Sequence, residues 1–184
     1  PQKYPPPTEL LDLQPLPVRA LKNADFETLF SQFSHFNPIQ TQVFASLYNT
    51  DDNALVAAPA GSGKTVCAEF ALLRMIKKAT QGECAARAVY VAPHEALATE
   101  RHADWSARFG AVLGLEVVQL TGETAADLKL LESGNIVIAT PEHWDALSRR
   151  WKQRKAVQAV SLFIADEMHM ISSGARGAAL EIIT

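Results

Sequence analysis

The chain has 184 residues, of which 48% are hydrophobic and 20% charged, and its formal net charge is −3. That is enough for one well-buried domain and too short for two ordinary ones; it excludes a disordered chain and a globally basic surface, so any nucleic-acid contact must come from a local patch. Cys67 and Cys84 show no metal-ligand spacing, no apolar run reaches membrane-spanning length, and the start has no signal-peptide pattern, so a reduced intracellular setting with no membrane contact is expected; the first residue is Pro rather than Met, so the chain reads as a piece of something longer.

Six prolines fall between Pro1 and Pro17. Residues 1–22 are therefore expected to run extended, with Leu10, Leu11, Leu13 and Leu16 packing on a surface, and residues 23–184 to form the domain. A short amphipathic helix is predicted from Asn23 to Phe30. Asn37 can cap, and Pro38 start, a second helix running to about Tyr48. Next come a strand-like run, Ala54–Ala57, and the stretch Ala58-Pro59-Ala60-Gly61-Ser62-Gly63-Lys64-Thr65, followed by a helix-like run to about Lys78. The stretch fits the phosphate-cradling P-loop pattern in its required strand–loop–helix setting. Gly61 and Gly63 let the backbone turn and bring N–H groups up to phosphate oxygens, and the helix N-terminus favours the same anion. Lys64 can reach the β- and γ-phosphates, and the Thr65 hydroxyl can ligate Mg²⁺. A bound nucleoside triphosphate is expected, with Ala58, Gly61, Ser62, Gly63, Lys64 and Thr65 around it. Upstream, Gln40 follows the aromatic Phe36; its amide can donate to and accept from an adenine edge, though by itself it reads as an ordinary exposed helix residue.

Beyond the P-loop, short apolar runs alternate with helical patterns. Strands are predicted at Ala88–Ala92, Glu116–Leu120, Asn135–Ala139 and Ser161–Ala165, and helices at Glu95–Phe109, from Thr124 to about Ser133 (with Thr124 and Asp127 as a capping pair) and at Glu142–Arg149. This pattern predicts an α/β fold, a mostly parallel sheet with helices on both faces and the strand ends lined up along one edge. The last strand runs into Asp166-Glu167-Met168-His169, roughly a hundred residues past the P-loop, where a Walker-B element stands in P-loop NTPases. Asp166 is placed to hold Mg²⁺ and Glu167 to take a proton from an attacking water; His169 can report nucleotide state to neighbouring loops. As an isolated pattern, an acidic pair after a strand is also a helix cap.

With these elements in place, the chain resembles the first RecA-like domain of a superfamily-two DExH-box RNA helicase. Asn37-Pro38-Ile39-Gln40 matches the Q motif, the P-loop is motif I, Pro93–Ala98 resembles motif Ia, Thr121-Gly122-Glu123 resembles motif Ib, and Thr140-Pro141-Glu142-His143-Trp144-Asp145 is similar to the T-P-E-x-W-D element. Residues 4–16, 121–131 and 147–155 add a finer likeness to the two-cassette spliceosomal branch, specifically its second cassette. The resemblance implies ATP and Mg²⁺ as cofactors, with Lys64, Asp166, Glu167 and His169 catalytic. It also implies Pro93, Ala96, Thr121, Gly122, Thr140 and Pro141 as RNA-backbone contacts, a nuclear location, and small nuclear RNA, spliceosomal proteins, a second RecA-like domain and a neighbouring cassette as partners. It leaves two functions open: an ATP-driven helicase unwinding paired small nuclear RNAs, or a slow nucleotide-binding cassette that regulates its neighbour and docks proteins. Ala60, Glu95 and His143 depart from the family pattern of Thr, Lys and Lys, which weakens the charge term of RNA binding. A second RecA-like domain, with its arginine finger, is absent from this stretch, so hydrolysis is expected of the parent protein only.

The basic run Arg149 to Lys155 around Trp151 reads as a solvated helix face, or else a phosphate or partner grip. Trp105 and Trp144 read as packing residues. His35, His94 and His102 form no metal spacing.

Overall fold

The computed structural model describes residues 14–172 and 174–184, together with all side chains in those ranges except Ala175 and Arg176. Leu10, Leu11 and Leu13 of the proline-rich segment lie outside the described residues. The chain divides into two compact units, Pro1–Lys77 and Lys78–Thr184.

In the first unit, the 3₁₀ turn Val18–Leu21 precedes helices α1 (Ala24–Leu29), α2 (Pro38–Asn49) and α3 (Lys64–Thr80). Asn23 caps α1 by accepting from the Phe26 amide. Asn37 and Gln40 form a reciprocal capping box on α2, each side chain accepting from the other's backbone N–H, with Pro38 in the first turn. What joins the helices is a cluster of aromatic rings. Phe36 and Phe44 meet Phe70 of α3 edge-on, with ring centres 4.8 Å and 5.1 Å apart, and Phe30 meets Phe36 at 5.4 Å. All four rings are buried. Each such pair contributes about 0.5–1.5 kcal/mol beyond its buried area, so the N-termini of α2 and α3 are fixed together by packing. Phe36 is core, not a free stacking surface beside Gln40. The expected strand at Ala54–Ala57 is not formed; the run carries no ladder, and Leu55 is 84% exposed. Four residues with two alanines have little β preference of their own, and a strand exists only where a partner takes its backbone groups.

The second unit holds β1 (Ala88–Val91), α4 (Glu95–Trp105), a π-helical turn (Ser106–Gly110), α5 (Ala111–Leu113), β2 (Val117–Gln119), α6 (Thr124–Ser133), β3 (Ile136–Ala139), α7 (Pro141–Ser148), a 3₁₀ turn (Trp151–Gln153), α8 (Lys155–Gln158), β4 (Leu162–Ala165), a 3₁₀ turn (Met168–Ser172) and α9 (Gly174–Ile183). All four strands are parallel, in the order β2-β3-β1-β4. Central strands β1 and β3 are buried along their whole length, as continuous apolar runs require. Alternation along β1 sends Val89 and Val91 into a core shared with Leu131, Trp144, Leu147, Val157 and Leu180 of α6 to α9. It sends Tyr90 to the opposite face, against Trp105 of α4. The α/β architecture with a covered parallel sheet is thus the one expected from the sequence. Trp105 and Trp144 are buried packing residues.

Three local expectations change. The helix from Glu95 does not stop at Phe109, because Gly110 keeps helical angles and the left-handed residue that ends it is Gly114 (φ 65). The basic run is not one helix face; it is broken into the Trp151–Gln153 turn and α8, with Arg149 held by Asp145 at 2.7 Å. At α6, Glu123 is the cap position and Thr124 is already helical, so the predicted Thr124–Asp127 capping pair does not form.

Candidate nucleotide-binding site

In the first unit, the P-loop bends through Gly61 (φ 75) and Gly63 (φ 83), the left-handed region open to glycine. Gly63 has a second reason to lack a side chain: a Cβ there would run into the Gln40 amide and sit 3.1 Å from Asn37 Nδ2. Both amides grip the loop. Asn37 Nδ2 donates to Ser62 O (2.9 Å) and Gln40 Nε2 to Gly63 O (3.3 Å), while Gln40 Oε1 accepts from Asn37 N (3.0 Å). Gln40, expected as an adenine reader, is 6% exposed, and its amide braces the P-loop backbone. Lys64 Nζ donates to the carbonyls of Ala58 (2.9 Å) and Pro59 (3.1 Å). Ser62 Oγ is buried without a hydrogen-bond partner among the described residues. The amides of Lys64 and Thr65 open α3 and have no partner within the helix, so the loop presents donors to an anion.

In the second unit, the four parallel strands end in a row. Thr121 follows β2, Thr140 follows β3, Pro93 follows β1 and Asp166 follows β4, with Ala139, Val91 and Ala165 in register. This carboxyl edge is where α/β sheets place their chemistry. Asp166 N donates to Val91 O (3.0 Å). The Asp166 carboxylate accepts from Tyr90 Oη at Oδ2 (2.5 Å) and from Glu167 N at Oδ1 (2.9 Å). Burial, then the Asp166 charge, pushes the Tyr90 phenol far above its ordinary range, so the hydroxyl stays a donor. Glu167 holds a left-handed backbone (φ 49), an uncommon conformation for a non-glycine residue and one that clusters at functional sites. Its carboxylate lies 3.0 Å from His169 Nδ1. The hydroxyl of Thr65 and the carboxylate of Asp166 are oxygen donors of the kind a magnesium–nucleotide complex takes. Among the described residues, no cluster of three or more His, Cys, Asp or Glu could hold a metal ion by itself.

The six RNA-backbone candidates are not equally placed. Ala96, Thr121 and Gly122 are exposed, whereas Pro93, Thr140 and Pro141 are buried, and the Thr140 hydroxyl accepts from His143 N as the cap of α7. Thr121 N, Thr121 Oγ1 and Gly122 N all donate to the buried carboxylate of Asp127, at 2.7, 2.8 and 2.9 Å. Glu95 and His143 face each other, Oε2 to Nδ1 at 4.0 Å. Sequence reasoning missed three positions: Tyr90, Asp127 as a loop anchor, and the Asn37 brace. One signal was present for the first, since a tyrosine in an otherwise aliphatic buried strand must find a partner for its hydroxyl.

A glycine-bent loop opening on a helix, and an acidic turn at a parallel-strand end, define a P-loop nucleotide-binding protein. Residues 37–184 match the DEAD/DEAH box helicase family, and the chain belongs to that family. It is 64% identical over 183 residues to the DExH-box ATP-dependent RNA helicase DExH13 of Arabidopsis thaliana. It is 60% identical over 184 residues to the U5 small nuclear ribonucleoprotein 200 kDa helicase of Homo sapiens, and 49% identical over 183 residues to the activating signal cointegrator 1 complex subunit 3 of Gallus gallus. Each match covers 100% of this chain and 8% of the relative, so the chain spans a small part of those proteins.

Proposed function

We propose that this chain is the first RecA-like, ATP-binding domain (residues 23–184) of an ATP-dependent RNA helicase that unwinds paired small nuclear RNAs in splicing, in the second cassette of a two-cassette protein working in the nucleus. The observation that carries the reading is the row of strand ends, with Asp166 and Glu167 beside the Pro93, Thr140 and Thr121 loops on one parallel sheet. The family supports ATP as the nucleotide. Lys64 and the P-loop amides would hold its phosphates, Thr65 and Asp166 would hold Mg²⁺, Glu167 would act as base, and His169 would act through Glu167. Gln40 would support the loop while reading the base through its remaining N–H. Ala96, Thr121 and Gly122 are exposed and would meet RNA, the last two through the shape of a loop whose N–H and O–H donors Asp127 takes, and Pro93, Thr140 and Pro141 would shape the loops from beneath. The names of the relatives support small nuclear RNA, spliceosomal proteins and the rest of the same chain as partners.

RNA-stimulated ATP turnover by the full-length protein carrying this chain tests the proposal. Glu167→Gln should lower the cassette's turnover about 10²–10⁴-fold while nucleotide still binds, as expected on removing a general base. Turnover that ignores both RNA and this change would point to a slow regulatory nucleotide site instead.

A further inference from the structure

We propose that Tyr90 is a positioning residue for the magnesium-binding carboxylate of Asp166, an inference that rests on the nucleotide site proposed above. Asp166 follows β4, which is the edge of the described sheet, and Phe163 on that strand is 36% exposed. Without a second partner, an acid at such a place would be held only by the amide of its own neighbour Glu167, and its other oxygen would be free to turn. Tyr90 removes that freedom. It stands on central strand β1, 1% exposed, and pairs in register with Ile164, two residues before the acid. Its ring meets Trp105 of α4 edge-on, at 4.9 Å between centres and 69° between planes. Trp105 is fully buried and carries Arg101 over its ring at 5.6 Å. The phenol therefore cannot swing, and its hydroxyl reaches Oδ2 from a fixed point.

With the Glu167 amide on Oδ1, both carboxylate oxygens have one donor each, and the plane of the group is set. Each oxygen keeps a lone pair for a metal ion or its water shell. Partners of this kind, behind a metal ligand, typically change metal affinity by about 10–100-fold when removed. Here the partner comes from the strand that leads to Pro93 and, at the start of α4, Ala96, both candidate RNA contacts.

The test is Tyr90→Phe in the full-length protein, which deletes one oxygen and keeps the ring on Trp105. Binding of a fluorescent ADP analogue is measured across a magnesium titration and again in excess chelator, with the parent protein and Asp166→Asn alongside. About tenfold more magnesium should be needed for half-maximal nucleotide binding by the variant, in the direction of Asp166→Asn, with magnesium-free affinity unchanged. A magnesium titration matching the parent's overturns the proposal. So does an equal loss of affinity with and without magnesium, which would mean general damage to the fold; Tyr90→Leu, which removes the ring as well, gives the pattern of that damage. A parent protein that binds no nucleotide in either condition overturns the site itself, and the positioning role with it.

Discussion

The P-loop and the Thr121-Gly122 loop are built from the same parts and come out opposite. Each bends at a glycine of positive φ, carries a hydroxyl residue, and opens on a helix N-terminus. In the P-loop, the first amides of α3 have no partner within the helix and the Ser62 hydroxyl is buried without one among the described residues. In the second loop, the buried carboxylate of Asp127, from the helix that follows, takes both amides and the hydroxyl. The second loop thus already holds its anion. What distinguishes an anion-binding turn from a merely stable one is where the nearest acid sits, not the glycine or the helix.

The largest test of this contrast is Asp127→Ala. Losing one charged acceptor from three donors should cost about 2–4 kcal/mol. At about 2–4 °C per kcal/mol, a melt of the full protein should show the corresponding drop in its least stable transition. The freed donors should also let inorganic phosphate raise the variant's melting temperature more than the parent's; equal phosphate effects would break the comparison. Next come the P-loop glycines. Gly63→Ala should cost about 1–3 kcal/mol in backbone strain, plus displacement of the Gln40 amide, and weaken nucleotide binding strongly. Gly61→Ala has open space around the new methyl and should cost the strain alone, about 1–2 kcal/mol. Equal effects from the two would show that the Gln40 brace contributes nothing.

The smallest effect concerns Cys67 on α3, 2% exposed, whose thiol burial pushes up to about 11. An acid with a raised folded pKa keeps its proton longer in the folded state, so its contribution to stability is full below the ordinary thiol range and is lost as pH climbs towards about 11. In the folded protein at pH 7.5, an alkylating reagent followed by mass spectrometry should label Cys84 before Cys67. Early labelling of Cys67 would show that the P-loop helix opens.

Much of this was legible in the chain. The four strands of the second unit and the cap at Asn37 followed from apolar runs and local chemistry that hardly depend on the rest of the fold. So did the glycines of the P-loop. The run Ala54–Ala57 was misread because its composition is weak and strand formation is decided by a partner, which no local pattern reveals. In sequence Gln40 reads as an adenine contact or an exposed helix residue, and Asp127 as a capping partner of Thr124, because a polar residue near a helix start offers only local partners to such reasoning. Only packing shows that the Phe36–Phe70 contact draws the first under the P-loop, and that Asp127 turns back beneath its own loop. Tyr90 was passed over because a buried aromatic in a strand satisfies the apolar pattern without its hydroxyl being considered.

Lys64 gives the P-loop a further property. Its ammonium rests on the carbonyls of Ala58 and Pro59, so in the role proposed for it the arrival of a phosphate would be an exchange of acceptors, not the capture of an idle charge. The heat released on such binding would be the difference between two sets of charge-assisted bonds, smaller than the new bonds alone would give. The same contacts tie the lysine to the turn before its own helix, so replacing it would loosen the loop as well as remove a charge.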